Sequence, residues 1–148
     1  MTIATSGNFL NVSLIVLYDS DKKLLLQHRT PDAPTLPGCW GFFGGRIDDG
    51  ELPEEAVCRE AREELNCELK SPVLFLEQNF TIDDKKGYMY VFIHSFYGDK
   101  SVLELREGQG WGWYRATEIN CLNMIEHNRE MVKKISVHIG GNGGGKDA

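Results

Sequence analysis

The sequence predicts an α/β fold, and three observations carry that prediction. Short apolar, β-branched segments are separated by turn-forming clusters, and two later stretches have helical periodicity. The strands of a later hairpin, Val73 to Thr81 and Tyr88 to Tyr97, are also apolar on both faces, as expected for the middle of a sheet covered on each side.

Val12 to Tyr18 reads as a strand, Asp19-Ser20-Asp21-Lys22 as a turn, and Leu24 to His28 as the returning strand of a hairpin. A loop rich in Pro and Thr runs from Pro31 to Pro37, and Trp40-Gly41-Phe42-Phe43 forms a short strand ending at Gly44-Gly45. The strongest helix covers residues 53–65, with Pro53 in the first helical position and Asn66 as a left-handed stop. Leu52, at its cap position, has no side-chain oxygen to cap with. Val73 to Thr81 and Tyr88 to Tyr97 flank Asp83-Asp84-Lys85-Lys86-Gly87 as a second hairpin. Trp111 to Tyr114 is a short strand, and residues 125–137 form a closing helix. Residues 1–8 are small and polar and are expected to fray. The chain has 148 residues and no repeats, so residues 1–139 are expected to form one domain, followed by a flexible Gly-rich tail at 140–148.

With 22 acidic against 16 basic residues and a formal charge of -6, the chain has no basic stripe for a nucleic acid polymer. A phosphorylated small molecule stays open, because bound divalent cations reverse the local sign. Cys39, Cys58, Cys67 and Cys121 contain no C-x-x-C pair, which argues against a zinc knuckle or redox dithiol and for buried or half-buried free thiols. No signal-like n-region precedes the first apolar run and no apolar run approaches membrane-spanning length, so a cytoplasmic location and no membrane partner are the default expectation. The oligomeric state stays open, a homodimer included.

The chemistry concentrates in Gly44 to Cys67, GGRIDDGELPEEAVCREAREELNC. At about 100° per residue, with Glu60 at the origin, Glu63 falls at about -60° and Glu64 at about +40°. Three carboxylates therefore share one arc, beside a face of Val57, Cys58, Ala61 and Leu65 that should be buried. Like charges at this spacing destabilise a helix unless a cation joins them, and hard oxygen donors select magnesium, manganese or calcium. A solvated acidic helix face is the alternative. The glycine-rich loop before the helix, and Glu51 at its junction, favour the metal.

From Gly45 onward the segment resembles the Nudix family pattern G-x5-E-x7-R-E-U-x-E-E-x-G-U, where U is a bulky aliphatic residue. Glu51, Arg59, Glu60, Glu63 and Glu64 match at every charged position, and Ala61 occupies the first U. Asn66 replaces the last glycine and Cys67 the last aliphatic residue. Asn is the second choice for a left-handed cap, so the turn should survive.

The resemblance implies a mixed sheet between α-helices, a three-layer α/β/α sandwich. It also implies hydrolysis of a diphosphate bond by water with a divalent metal, Mg2+ or alternatively Mn2+. Glu60 and Glu64 would be the principal metal ligands, helped by Glu63 and the Gly44 carbonyl. Arg59 would orient the carboxylates by charge-assisted hydrogen bonds. Glu51 would support the loop or reach a metal through water. Outside this segment the chain is similar to the MutT-like branch. Arg29 matches a phosphate-binding arginine, Glu107 in Glu107-Gly108-Gln109 matches a candidate general base, and Asn128 matches a base-reading asparagine. Phe43 stands where many relatives have proline.

Trp40, Trp111 and Trp113 are expected to pack rather than stack on a base. His28, His94, His127 and His138 have no ligand spacing and receive no role. The expected function is hydrolysis of a nucleoside diphosphate linked to another moiety, foremost (deoxy)nucleoside triphosphates, oxidised purines included, with pyrophosphate release. Nucleotide sugars and dinucleoside polyphosphates are the alternative substrates. A non-catalytic nucleotide-binding module or a sensor is the alternative of another class.

Overall fold

The computed structural model of the protein describes residues 9–82 and 84–141. The expected frayed residues 1–8, Asp83 of the second turn, and the tail from residue 142 lie outside the described residues.

Among the described residues seven strands form one mixed sheet: β1 (Phe9–Tyr18), β2 (Leu24–His28), β3 (Trp40–Gly41), β4 (Phe43–Arg46), β5 (Val73–Ile82), β6 (Lys85–Ser95) and β7 (Gly110–Tyr114). Its order is β3-β2-β1-β6-β5, with β4 added to β1 and β7 added to β2. Only β1 and β6 run parallel, and the other pairs are antiparallel. The α-helices α1 (Pro53–Leu65) and α2 (Glu126–Ser136) cover the sheet.

Side chains alternate across a strand, so β1 serves both layers. Ile15 and Leu17 join Leu25, Phe43 and Phe92 against Val57, Ala61 and Leu65 of α1. Val16, Leu24, Leu26, Val91 and Ile93 pack instead against Met131, Val132 and Ile135 of α2. This is the expected α/β/α sandwich, and Leu65, fully buried in it, should cost about 2–5 kcal/mol if truncated to Ala.

Three strand expectations are corrected. The first hairpin pairs only at Tyr18 and Leu24 and then splays. The segment predicted as one strand at 40–43 becomes two, because the chain crosses there from β2 to β1. At this crossing the Phe42 carbonyl accepts Gln27 Nε2 at 3.1 Å, which satisfies a polar group between ladders. Finally, β5 is an edge strand rather than a covered one, and Val73 and Leu74 are exposed. Its apolar residues outrun the area the helices cover. The second turn is also tighter than expected, with Ile82 opposite Lys85.

α1 has the expected bounds for local reasons. Pro53 sits in its first turn with Glu54 and Glu55, and Glu55 Oε1 accepts the Leu52 N–H at 2.9 Å, a substitute for the cap that Leu52 lacks. Asn66 adopts the left-handed conformation (φ 57°, ψ 40°), and the Cys67 N–H closes back on the Ala61 carbonyl at 3.2 Å. Ser13, buried on β1, donates to the Pro53 carbonyl at 2.8 Å and ties the helix start to the sheet. Of the four cysteines Cys67 is buried and Cys39 and Cys58 half-buried, but Cys121 is exposed, contrary to expectation. No helix among the described residues is long and apolar enough to cross a membrane.

Candidate active site

β4 delivers Gly44 and Gly45 directly beneath α1. A Cβ on Gly44, whose φ is 136°, would overlap the Ser13 carbonyl, and one on Gly45 would meet the Glu60 carboxylate. Gly44 therefore lets β4 approach β1, and Gly45 lets it approach α1 closely enough for the Glu60 carboxylate to reach the strand. Glu64, only 6% exposed, accepts the Gly44 N–H on Oε1 at 2.9 Å. It is the N–H of Gly44, not its carbonyl, that meets this carboxylate.

Arg59 organises the outer half of the site. Its Nε and Nη2 grip Glu51 at 2.8 and 3.0 Å, and Nη1 reaches Glu60 Oε2 at 3.0 Å and Glu63 Oε1 at 3.2 Å. Nη2 also donates to the Arg46 carbonyl at 3.0 Å, which ties the loop to the helix. The fork geometry uses the planar guanidinium fully. The Arg59 guanidinium, followed by the Asp48 N–H, holds the Glu51 carboxyl down to about 2, and the same bonds raise Arg59 itself. Both Glu51 oxygens are taken up in supporting the loop. Glu63 stands at the rim, its side chain 59% exposed against 12% for Glu60.

The inner half has the opposite character. Burial pushes the Glu64 carboxyl up to about 10, and the neighbouring carboxyls of Glu107 and then Glu60 add to the effect. Among the described residues no basic side chain pairs with Glu64. Like-charged groups sharing a buried site need either a proton or a cation, and an all-oxygen donor set suits a hard divalent ion. The residues therefore fit such an ion. Among the described residues they do not converge into a preformed cage of three or more ligating side chains. Glu60 Oε2 is turned to Arg59 and Glu64 Oε1 to Gly44, so an ion would compete with those bonds.

Beside Glu107 opens a cleft of about 160 Å³, lined by Gln27, Arg29, Thr30, Asp32, Ala33, Pro34, Glu107 and Gly108. Arg29 and Glu107, 78 positions apart in sequence, thus face one space. Arg29 Nε is held by the Thr35 carbonyl at 2.6 Å. Gly108 has φ 88°, and a Cβ there would strike the Gln27 carboxamide and the His28 carbonyl. Gln27, buried and touching this turn, is a cleft residue that sequence reasoning missed. Its only sequence signal is a polar residue directly after Leu24-Leu25-Leu26 within a strand.

Asn128 is not brought to this cleft. It lies buried in the first turn of α2, with Nδ2 against Gly41 and Oδ1 3.5 Å from His127 Nδ1. His127 in turn meets Gln78 of β5 at 2.9 Å. The tryptophans pack within the protein: Trp40 on His28 at 4.7 Å, Trp111 edge-on to Phe43, and Trp113 under the Lys100 ammonium. Phe43 is a core residue of the α1 layer.

The sheet thus lies between α1 and α2, with Gly44 and Gly45 of β4 beside the Glu60 and Glu64 carboxylates of α1. Residues 8–135 match the family model described as "NUDIX domain", and the chain belongs to that family as a Nudix hydrolase. It is similar to "Uncharacterized Nudix hydrolase YvcI" of Bacillus subtilis (strain 168), 31% identical over 118 residues that cover 76% of this chain and 70% of that one. It is also similar to "Nucleoside triphosphatase NudI" of Escherichia coli O17:K52:H18, 29% identical over 113 residues that cover 70% and 80% of the two chains. Among solved structures, the MutT protein of Methanosarcina mazei Go1 superposes with a TM-score of 0.77 at 19% identity. That match covers 92% of this chain and 99% of the other, and it speaks for the fold alone.

Proposed function

We propose that this chain hydrolyses (deoxy)nucleoside triphosphates, oxidised purine nucleotides included, to the monophosphate and pyrophosphate, with magnesium or alternatively manganese. One observation carries the proposal: Glu64 is buried beside the carboxyls of Glu107 and Glu60 and, among the described residues, pairs with no basic side chain. Similarity to a nucleoside triphosphatase supports the substrate class.

Glu60 and Glu64 would hold the ion, with Glu63 and the Gly44 carbonyl at its margin. When bound, the ion neutralises diphosphate oxygens, stabilises the leaving group and lowers the pKa of a bound water. The residues of the chain supply the rest. Glu107 takes a proton from the attacking water, Arg29 holds a phosphate across the cleft they share, and Arg59 keeps Glu60 and Glu63 oriented. Glu51 locks Arg59 to the loop. Asn128 reads the purine edge from the α2 side. Residues 1–139 act as one catalytic domain, and the remaining glycine-rich stretch takes no part in the chemistry.

The test is a screen of nucleoside triphosphates, nucleotide sugars and dinucleoside polyphosphates with magnesium, reading pyrophosphate against phosphate. Pyrophosphate from a nucleoside triphosphate supports the proposal. Turnover confined to nucleotide sugars or dinucleotides refutes the substrate class, and binding without turnover points to a sensor.

A further inference from the structure

Glu107 sits on the segment that connects β6 to β7, and the middle of that segment is bonded to the end of α1. Asn66 Nδ2 donates to the Val102 carbonyl at 3.2 Å. The Glu104 N–H donates to the Leu65 carbonyl at 3.0 Å, and the Arg106 N–H to the Glu64 carbonyl at 3.0 Å. Arg106 Nη1 reaches the Arg62 carbonyl at 3.2 Å. The last carbonyls of a helix have no intrahelical partner, so residues 102–106 complete the helix end. Buried Leu103 anchors them in the same core as Leu65. The Glu64 carbonyl is thus bonded to residue 106, directly before Glu107, whose carboxyl lies beside the Glu64 carboxyl.

We propose that residues 102–106 are a positioning device that sets Glu107 opposite Glu64, and that Asn66 is the residue that latches it. The inference rests on the role given to Glu107 above. Asn66 stands where the family motif has glycine. A glycine would supply the same left-handed backbone, but it has no amide to reach Val102. Asn66 therefore ends the helix and ties down the loop with one side chain.

Asn66→Gly separates the two jobs, because it keeps the helix end and removes only the latch. In the metal-free protein, amide hydrogen exchange at Glu104 and Arg106 should rise several-fold. In the magnesium-loaded enzyme kcat should fall on the order of ten- to a hundredfold, as a small misplacement of a reacting group does, while KM holds. In a Glu107→Gln background the same substitution should change kcat no further, since two residues acting through one group are not additive. Unchanged exchange at Glu104 and Arg106 overturns the latch. Additive effects in the double variant overturn the positioning role while leaving Glu107 in place. Full turnover by Glu107→Gln alone overturns the role of Glu107, and the positioning role with it.

Discussion

Arg59 grips Glu51 at two points, Nε to Oε2 at 2.8 Å and Nη2 to Oε1 at 3.0 Å. The pair joins the glycine-rich loop to the carboxylate helix. It lowers the Glu51 carboxyl from its ordinary 4.5 to about 2. A depressed carboxylate contributes stability that is fully present above 4.5 and is lost as pH falls through about 2. Urea unfolding of wild type and Glu51→Gln should therefore show a wild-type advantage at neutral pH that disappears towards pH 2. An advantage equal at both ends of that range would contradict the pairing.

Glu64 carries the opposite sign. Its carboxyl is raised from 4.5 to about 10, so its ionisation opposes folding, and the metal-free protein should lose stability as pH rises through that window. Glu64→Gln should flatten this dependence and keep the acceptor for the Gly44 N–H, while turnover with magnesium falls by orders of magnitude. Near-normal turnover in the folded variant, at saturating magnesium, would refute the assignment of Glu64 to the metal site.

Glu107 lies beside the cleft that also holds Arg29. As the general base it is worth on the order of a hundred- to ten-thousandfold in rate, so Glu107→Gln should lower kcat by that much with KM nearly intact. A loss under about fivefold, far below the range for a general base, would move the role to Glu63 or another carboxylate of the helix.

Asn128 offers one acceptor and two donors, enough to pair with adjacent groups on a purine edge. A wrong base would leave buried polar groups without partners, the condition under which hydrogen bonds discriminate most. Because Asn128 is buried against Gly41, Asn128→Ala is expected to cost stability whatever its role. The deciding quantity is the ratio of kcat/KM for purine over pyrimidine triphosphates. It should fall several-fold in the variant, and an unchanged ratio sinks the base-reading role.

What was legible in the sequence had local causes. α1 runs from Pro53 to Leu65 as expected because Pro53, Glu55 and Asn66 act within a turn of its ends. The inward set of Glu60 and Glu64 follows from helical spacing and the apolar face beside it. The illegible parts depend on partners remote in sequence. The splay of β1 from β2 depends on β4 and β7 arriving later, and the exposure of Val73 and Leu74 depends on β5 lying at the sheet edge. Helical spacing puts Glu63 in the same arc as its neighbours, yet the fold leaves it at the rim, bonded to Arg59. Gln27 showed only as a polar residue after three leucines, because its use depends on the Phe42 crossing and the Gly108 turn. Asn66 was legible as a helix stop, but its bond to Val102 spans 36 positions and no local signal announces it.

The central claim is that Glu60 and Glu64 hold a divalent ion. Its most direct test is calorimetric titration of magnesium or manganese into the folded wild type, Glu60→Gln and Glu64→Gln, without substrate. Wild type should bind the ion and release protons, because the raised Glu64 carboxyl must ionise to ligate. Both variants should bind at least tenfold more weakly, consistent with an interaction energy above about 1.4 kcal/mol. Equal affinity in all three proteins, with no proton release in wild type, would contradict the account.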